Sequence, residues 1–299
     1  MSGLARLLTG VLLLAAPATA QEQAPGVKVL KDLAYGPDER QRLDLYLPEP
    51  GAGPRPLVVC IHGGGWAGGD KARYQWLGEA FAKKGFAAAS VTYRFAPKHR
   101  SPAAMEDVQR AVRWLRKNAA EHGIDPARFG AIGGSAGGHL AAWLALADPL
   151  DDRDPELSKF SSRVQCVVDC YGPVDLEAMM TSASAPIVEN FLGKPLAGNE
   201  ADYRKASPQF LVRKDPPPFL IVHGTEDVGT KRGQVPMEQS TAFLERLKAA
   251  GGDARLVKLE GAPHGFSHSG AGNAHAQAML AAALEFFGRH LARPAGDRK

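Results

Sequence analysis

A serine hydroxyl attacks a carbonyl carbon only when a base takes its proton and fixed dipoles receive the charge that builds on the carbonyl oxygen. The sequence holds residues of the right types for all of these parts. Gly133-Gly134-Ser135-Ala136-Gly137 fits G-x-S-x-G, a pattern that seats a serine on a tight turn between a strand and a helix. The flanking glycines permit the close backbone approach of such a turn, and the start of the following helix adds partial positive charge beside the serine. His62-Gly63-Gly64-Gly65-Trp66 is a second glycine run, whose N–H groups can turn inward with no side chain in the way. Ala136, the residue after the nucleophile, supplies a further N–H. A phosphate loop is the competing use for glycines. The Lys-Ser/Thr of a P-loop is missing, as is the downstream acid that completes a dinucleotide site.

The base must be sought among nine histidines. His264 stands in Gly261-Ala262-Pro263-His264-Gly265-Phe266, between the last expected strand and the last expected helix. His268 competes from the same loop. His62 reads as a buried residue beneath the glycine run, His139 as a residue inside a helix, and His223 as a strand end. Aside from that competition, His268, His275 and His290 read as solvent-facing. The acid that holds the base in one tautomer is assigned to Asp227, just past the strand Phe219–Val222, with Glu226 and Asp175 as alternatives. The order Ser135, Asp227, His264 matches the chain order expected with a G-x-S-x-G nucleophile.

Positioning these residues requires strands that end where the chemistry happens. Arg42–Leu47 alternates polar and apolar residues, as a half-buried strand does. Leu57–Ile61 is continuously apolar, as a strand covered on both faces is. Phe86–Tyr93, Phe129–Ile132, Val164–Val168, Phe219–Val222 and Arg255–Leu259 are further strands. Helices are expected over Pro102–Glu121, with Met105, Val108, Val112 and Leu115 on one face, and over Ala136–Ala147, Pro236–Ala250 and Ala274–Leu291. Gly251-Gly252 marks the stop of the third. This alternation means a mostly parallel central sheet with helices on both faces. Gly172–Pro216 breaks it. That stretch is expected to lie over the C-terminal end of the sheet, with short helices near Asn190–Gly193 and Ala201–Ala206. Trp66, Phe191 and Phe210 are candidates for its aromatic lining, with the core as the preferred reading.

Residues 1–20 are set apart as a secretory signal. Arg6 precedes the apolar run Leu7–Ala16, and Ala18-Thr19-Ala20 offers a small-residue cleavage site. The run is too short for a membrane span, so cleavage would leave no stable anchor and residues 21–299 as one exported domain. Among 299 residues, 36 Lys and Arg stand against 32 Asp and Glu, a formal charge of +4 with no basic cluster, which excludes a nucleic-acid-binding surface. Cys60, Cys166 and Cys170 read as small buried residues, because an extended spacing of four residues is beyond disulfide reach. No zinc motif is present, and no metal or cofactor is called for.

With these residues in view, the chain resembles the HGGG-loop esterase/lipase branch of the α/β-hydrolase superfamily. Leu43–Pro48, His62–Trp66 and Gly69-Asp70-Lys71 are similar to bacterial feruloyl and acetyl-xylan esterases. Tyr93–Pro97 and Pro102–Asp107 are similar to hormone-sensitive-lipase-like esterases, as are Ser207-Pro208 and Pro217–Leu220. The resemblance implies the α/β-hydrolase fold with an insertion over the active site. It implies an oxyanion hole formed by the N–H groups of Gly64, Gly65 and Ala136, with Gly63 a further option. One departure stands out. The family places Val-Pro soon after the acid, whereas here Val235-Pro236 follow an inserted Val228–Gln234 tipped by Lys231 and Arg232.

The implied activity is serine carboxylesterase action on a small-molecule or polysaccharide-linked ester. A prolyl-oligopeptidase-type peptidase, an arylformamidase-like amide hydrolase and a binding protein on a hydrolase scaffold remain as other readings. Nothing in the sequence sets the oligomeric state.

Overall fold

The computed structural model describes residues 26–49, 51, 53–150 and 153–292. The expected signal segment, residues 1–20, lies outside them. Eight strands form one sheet in the order β1-β2-β4-β3-β5-β6-β7-β8. They are β1 (Val27–Ala34), β2 (Arg42–Pro48), β3 (Arg55–Ile61), β4 (Ala87–Val91), β5 (Ile124–Gly134), β6 (Cys166–Cys170), β7 (Phe219–Gly224) and β8 (Ala254–Leu259). β1–β2 and β2–β4 pair antiparallel, and all other pairs are parallel. The helices are α1 (Gln75–Lys83), α2 (Ala103–Lys117), α3 (Ala136–Leu146), α4 (Ala185–Leu192), α5 (Glu200–Ala206), α6 (Met237–Ala249) and α7 (Ala274–His290).

The alternation of side chains along a strand divides the core in two. Leu57, Val59 and Ile61 of β3 pack with Val108 and Val112 of α2, Leu140 of α3 and Phe243 of α6. Val58 and Cys60 face the other way, toward Leu77 and Phe81 of α1 and Met279 and Phe287 of α7. Both layers exclude water, so the central strands β3, β4, β6 and β7 and the second half of β5 are buried along most or all of their length, as the apolar runs seen in sequence require, while β8 at the edge keeps Arg255 and Lys258. The three cysteines are free and buried.

Several boundaries differ from expectation for local reasons. β6 begins two residues later than Val164 and runs on to Cys170, because its register carries it to pair with Gly134. α2 stops at Lys117, where the Asn118 amide donates to the Trp114 carbonyl at 2.8 Å. β1 and α1 lack a clear signal. β1 is an edge strand whose pairing slips between Leu30 and Leu33. In α1, Gly78 interrupts the helical pattern because the Tyr46 ring fills the space a Cβ would need. The Gly172–Pro216 stretch holds α4 and α5. The helix expected near Asn190 starts earlier, at Ala185, with Pro186 in its first turn and Gly193 in the left-handed conformation at its end.

Arg94 and Asp107 tie the segment after β4 to α2. The Asp107 side chain is fully buried. Its oxygens accept from the Arg94 backbone N–H at 2.7 Å, from Arg94 Nε at 2.9 and 3.0 Å, and from Gln41 Nε2 at 2.6 Å. Removing one partner of a buried pair leaves the other charge uncompensated. Arg94→Ala is therefore expected to cost about 3 kcal/mol of unfolding free energy. Urea denaturation monitored by circular dichroism measures this, with a shifted midpoint at constant slope as the expected form.

Candidate active site

β3, β5, β7 and β8 deliver the candidate residues at their C-terminal ends, where open α/β sheets bind ligands. The last residue of β5 is Gly134, and Ser135 follows at φ 57° and ψ −126°, a conformation uncommon for a residue with a Cβ. The turn closes only because its neighbours are small. A Cβ on Gly133 would strike the Gly137 carbonyl, and one on Gly137 would strike the Ile61 carbonyl at the end of β3. The Ser135 N–H donates to the Cys170 carbonyl at 2.9 Å, which hooks the turn to β6.

Ser135, His264 and Asp227 come together in series. His264 Nε2 lies 3.0 Å from Ser135 Oγ, and its Nδ1 lies 2.6 Å from Asp227 Oδ2. A carboxylate can only accept, so Nδ1 carries the proton and Nε2 is left to accept from the serine hydroxyl. Burial pushes the Asp227 carboxyl up, but hydrogen bonds from His223 and His264 outweigh it and hold the group below its ordinary range. Glu226 is exposed, and Asp175 caps Ala178 instead, so neither alternative acid reaches His264.

His223 is a residue whose part the sequence did not reveal. It is fully buried, with Nε2 3.1 Å from the Val235 carbonyl and 3.4 Å from Asp227 Oδ2. Facing two acceptors, Nε2 is the protonated nitrogen, and Nδ1 accepts from Ser240 Oγ at 2.6 Å. Asp227 thus receives donors from both imidazoles, and its Oδ1 accepts from the Val235 N–H at 2.8 Å. The available signal was the spacing of His223 and Asp227, four residues apart at a strand end.

The glycine loop is held from below by two further histidines. His62 donates from Nδ1 to the Gly63 carbonyl at 2.8 Å and stacks on Tyr93 at 4.6 Å. His139 accepts from Trp66 Nε1 at 3.2 Å and donates to the Ala206 carbonyl at 2.8 Å, linking the loop to α5. Burial pushes both imidazoles down to about 4, so both are neutral at pH 7. His268 departs from expectation. It faces the site rather than solvent, and its Nε2 accepts from the Gly63 N–H at 3.2 Å. Burial pushes its imidazole down to about 3, which keeps that nitrogen free to accept. It is not bonded to Ser135, and by taking the Gly63 N–H it removes that group from any oxyanion hole.

The N–H groups of Gly64, Gly65 and Ala136 have no intramolecular acceptor among the described residues. All three residues line one cavity of about 450 Å³ with Ser135 and His264. Met179, Pro186, Ile187, Val188 and Asn190 of the Gly172–Pro216 stretch form one wall, and Arg232, Gly233 and Gln234 of the Val228–Gln234 loop form another. Of the three aromatic candidates, Trp66 and Phe191 are buried and stack at 4.3 Å, with Trp66 reaching the cavity. Phe210 does neither and is exposed. His290 also departs from expectation, packing on Phe286 at 4.6 Å. A network beneath His264 fixes its loop. Ser267 Oγ bonds to Tyr74 at 2.8 Å and to Tyr171, whose ring meets His264 at 4.7 Å.

Asp169 lies one strand over and takes no part in the series. Its Oδ1 accepts from the Gly172 N–H at 2.9 Å, while Oδ2 has no partner among the described residues. Burial pushes this carboxyl up to about 6. An unfolded aspartate ionises near 3.9, so between roughly pH 4 and 6 the unfolded chain has lost a proton that the folded one keeps. Stability from this group is complete below that window and is lost as pH rises through it. Asp169→Asn keeps an acceptor for Gly172 and cannot ionise. It is expected to remove that slope and to raise unfolding free energy at pH 8 by about 2–3 kcal/mol. Urea titrations at pH 4.5 and pH 8 read both effects, and an unchanged difference between the two pH values would count against this.

No helix among the described residues is long and apolar enough to cross a membrane. Comparison with known proteins identifies relatives of the whole arrangement. Esterase LipC of Mycobacterium tuberculosis is 35% identical over 242 residues, which cover 78% of this chain and 58% of LipC. The chain thus spans somewhat over half the length of that relative. A truncated carbohydrate esterase from gut microbiota superimposes with a TM-score of 0.77 at 28% identity, over 89% of this chain and 97% of that one. The propionate-bound Est2 esterase of Thermogutta terrifontis gives 0.73 at 32% identity, over 91% and 97%. The BD-FAE family model matches residues 43–247. That match spans the sheet from β2 to β7 and both glycine turns, and with the superpositions it establishes that this chain belongs to the BD-FAE family, in the HGGG-loop branch of the α/β-hydrolase superfamily.

Proposed function

We propose that residues 21–299 form one exported serine carboxylesterase domain that acts on short-chain or carbohydrate-linked acyl esters. The observation that carries this reading is the hydrogen-bonded series Ser135–His264–Asp227 opening on a cavity with unengaged N–H groups. Ser135 Oγ attacks the ester carbonyl as its proton passes to His264 Nε2. The carbonyl oxygen becomes an anion and takes hydrogen bonds from Gly64, Gly65 and Ala136. Collapse expels the alcohol with the proton from His264, leaving an acyl group on Ser135. Water then enters by the same route: His264 removes its proton, the hydroxide attacks the acyl carbon, and the bond to Ser135 Oγ breaks as Oγ takes that proton back from His264, releasing the carboxylic acid. Asp227 keeps His264 in the required tautomer and balances its charge in each half-reaction.

The substrate class draws on the cavity volume and on the relatives named above, one a carbohydrate esterase and one seen with propionate. Export draws on Arg6, the apolar run Leu7–Ala16 and Ala18-Thr19-Ala20. The test combines a 4-nitrophenyl ester series from acetate to octanoate, acetylated and feruloylated xylan, matched amides, and a fluorophosphonate probe mapped by peptide mass. The probe suits the fold, since Est2 of T. terrifontis is also known phosphorylated by paraoxon. Turnover that falls with chain length and an adduct on Ser135 are expected. Folded protein with neither ester turnover nor an adduct would overturn the assignment.

A further inference from the structure

The charge lining the cavity is one-sided. Four residues with ionisable side chains line it, Arg73, Arg232, His264 and His268, and no Asp or Glu does among the described residues. His268 is neutral and engaged by Gly63. Asp227 lies behind His264 and spends its charge on two imidazoles. The cavity is therefore lined by two arginines with no carboxylate-bearing residue among its described lining.

Several arginines elsewhere in this protein are matched. Arg94 pairs with Glu106 and Asp107, Arg204 with Glu177, Arg213 with Asp148 and Arg255 with Glu285. Arg73 and Arg232 have no carboxylate partner among the described residues. Both are nevertheless carried on fixed backbone. Arg73 lies on a one-turn helix, Lys71–Tyr74, held at one end by Lys71 Nζ on Asp32 at 2.8 Å and Asp44 at 3.0 Å. At the other end Tyr74 bonds to Ser267. Arg232 lies on the inserted loop, which is held against α4. Ser184 Oγ accepts from the Gly233 N–H at 3.0 Å and donates to the Gln234 carbonyl at 2.8 Å, and the Ala183 N–H donates to the Gly229 carbonyl at 3.4 Å. Two separate parts of the chain thus bring an arginine to the same cavity.

We infer that the ester taken by this site bears a carboxylate on a part of the molecule that is not cleaved, and that Arg73 and Arg232 bind it. The inference rests on the esterase reading above. A neutral ester leaves both guanidiniums to water, whereas a carboxylate accepts charge-assisted and forked hydrogen bonds from them. The carboxylate can sit on the acyl side, as in a dicarboxylic acid monoester, or on the alcohol side, as in an acylated hydroxy acid or uronic acid.

Two matched pairs of esters test it. 4-Nitrophenyl hydrogen glutarate against 4-nitrophenyl pentanoate places the charge on the acyl side. 4-Acetoxybenzoate against 4-acetoxybenzamide places it on the alcohol side. Each kcat/KM is divided by the hydroxide-catalysed rate of the same ester. At low ionic strength one pair is expected to favour its charged member by about fivefold or more, with the preference shrinking in about 0.5 M salt. Arg73→Gln and Arg232→Gln should each lower that ratio, and Lys231→Gln, on the same loop but outside the cavity, should not. A ratio of one or less in both pairs overturns the inference, as does a preference that survives both arginine substitutions. Folded protein that hydrolyses none of the four esters overturns the esterase reading, and the inference with it.

Discussion

Ser135→Ala is expected to lower kcat for ester hydrolysis by ~10⁶ and to abolish the fluorophosphonate adduct. The size follows from what the substitution removes. Oγ is the only atom of the series that bonds to the substrate, and without it His264 has no nucleophile held at 3.0 Å to activate. The N–H groups of Gly64, Gly65 and Ala136 are left in place, so a residual rate of ~10³ over water is expected from charge stabilisation alone. The backbone is expected to stay as it is. Alanine bears the same φ of 57°, and its N–H still reaches the Cys170 carbonyl. Thermal unfolding should therefore shift little, and the loss should fall on kcat. Turnover within tenfold of the parent in a folded, adduct-free protein would remove Ser135 from the mechanism.

Asp227→Asn is expected to lower kcat by ~10⁴ with little change in shape. An asparagine can keep its carbonyl oxygen toward the Val235 N–H, which now bonds Oδ1 at 2.8 Å. Its amide nitrogen then faces His264 Nδ1. A donor in that place favours the tautomer protonated on Nε2, which cannot take the serine proton. The same amide faces His223 Nε2, already a donor to the Val235 carbonyl at 3.1 Å, so that contact is lost as well. Steady-state kinetics across pH read the effect. Activity should recover partly at high pH, where hydroxide replaces the missing base. A loss below tenfold at pH 7 would show that His264 keeps its tautomer without Asp227.

The two glycine turns and the residues at the strand ends were legible because each needs a residue type that few others can replace. Gly133 and Gly137 sit where carbonyls leave no room for a Cβ, and Ser135 and Asp227 follow strands whose apolar runs are plain, while His264 follows β8 at the sheet edge. The partners of those residues were harder to read. His268 looked like a loop histidine because nothing in a linear pattern says that its Nε2 meets the Gly63 N–H, 205 positions away in the chain. His223 and Ser267 were hidden for the same reason: their roles are set by packing between β7, α6 and the His264 loop. The edge strand β1 failed to show because its bulge breaks the alternation, and α1 because Gly78 answers to the Tyr46 ring rather than to helix propensity. The fate of the Val228–Gln234 insertion also needed three dimensions. Its sequence marks it as extra, and only the fold turns it toward the cavity.

That loop and the candidate acid share an anchor point. Asp227 orients His264 with one oxygen and grips the Val235 N–H with the other, so the residue that sets the candidate base also closes the base of the loop. The span between those two anchor points is free to vary without moving the acid. Substitution at positions 228–234 can resurface the entrance and alter which esters enter, while the proton relay stays in register. A fold arranged this way separates recognition from chemistry, and so offers evolution a segment to experiment on at low risk to turnover.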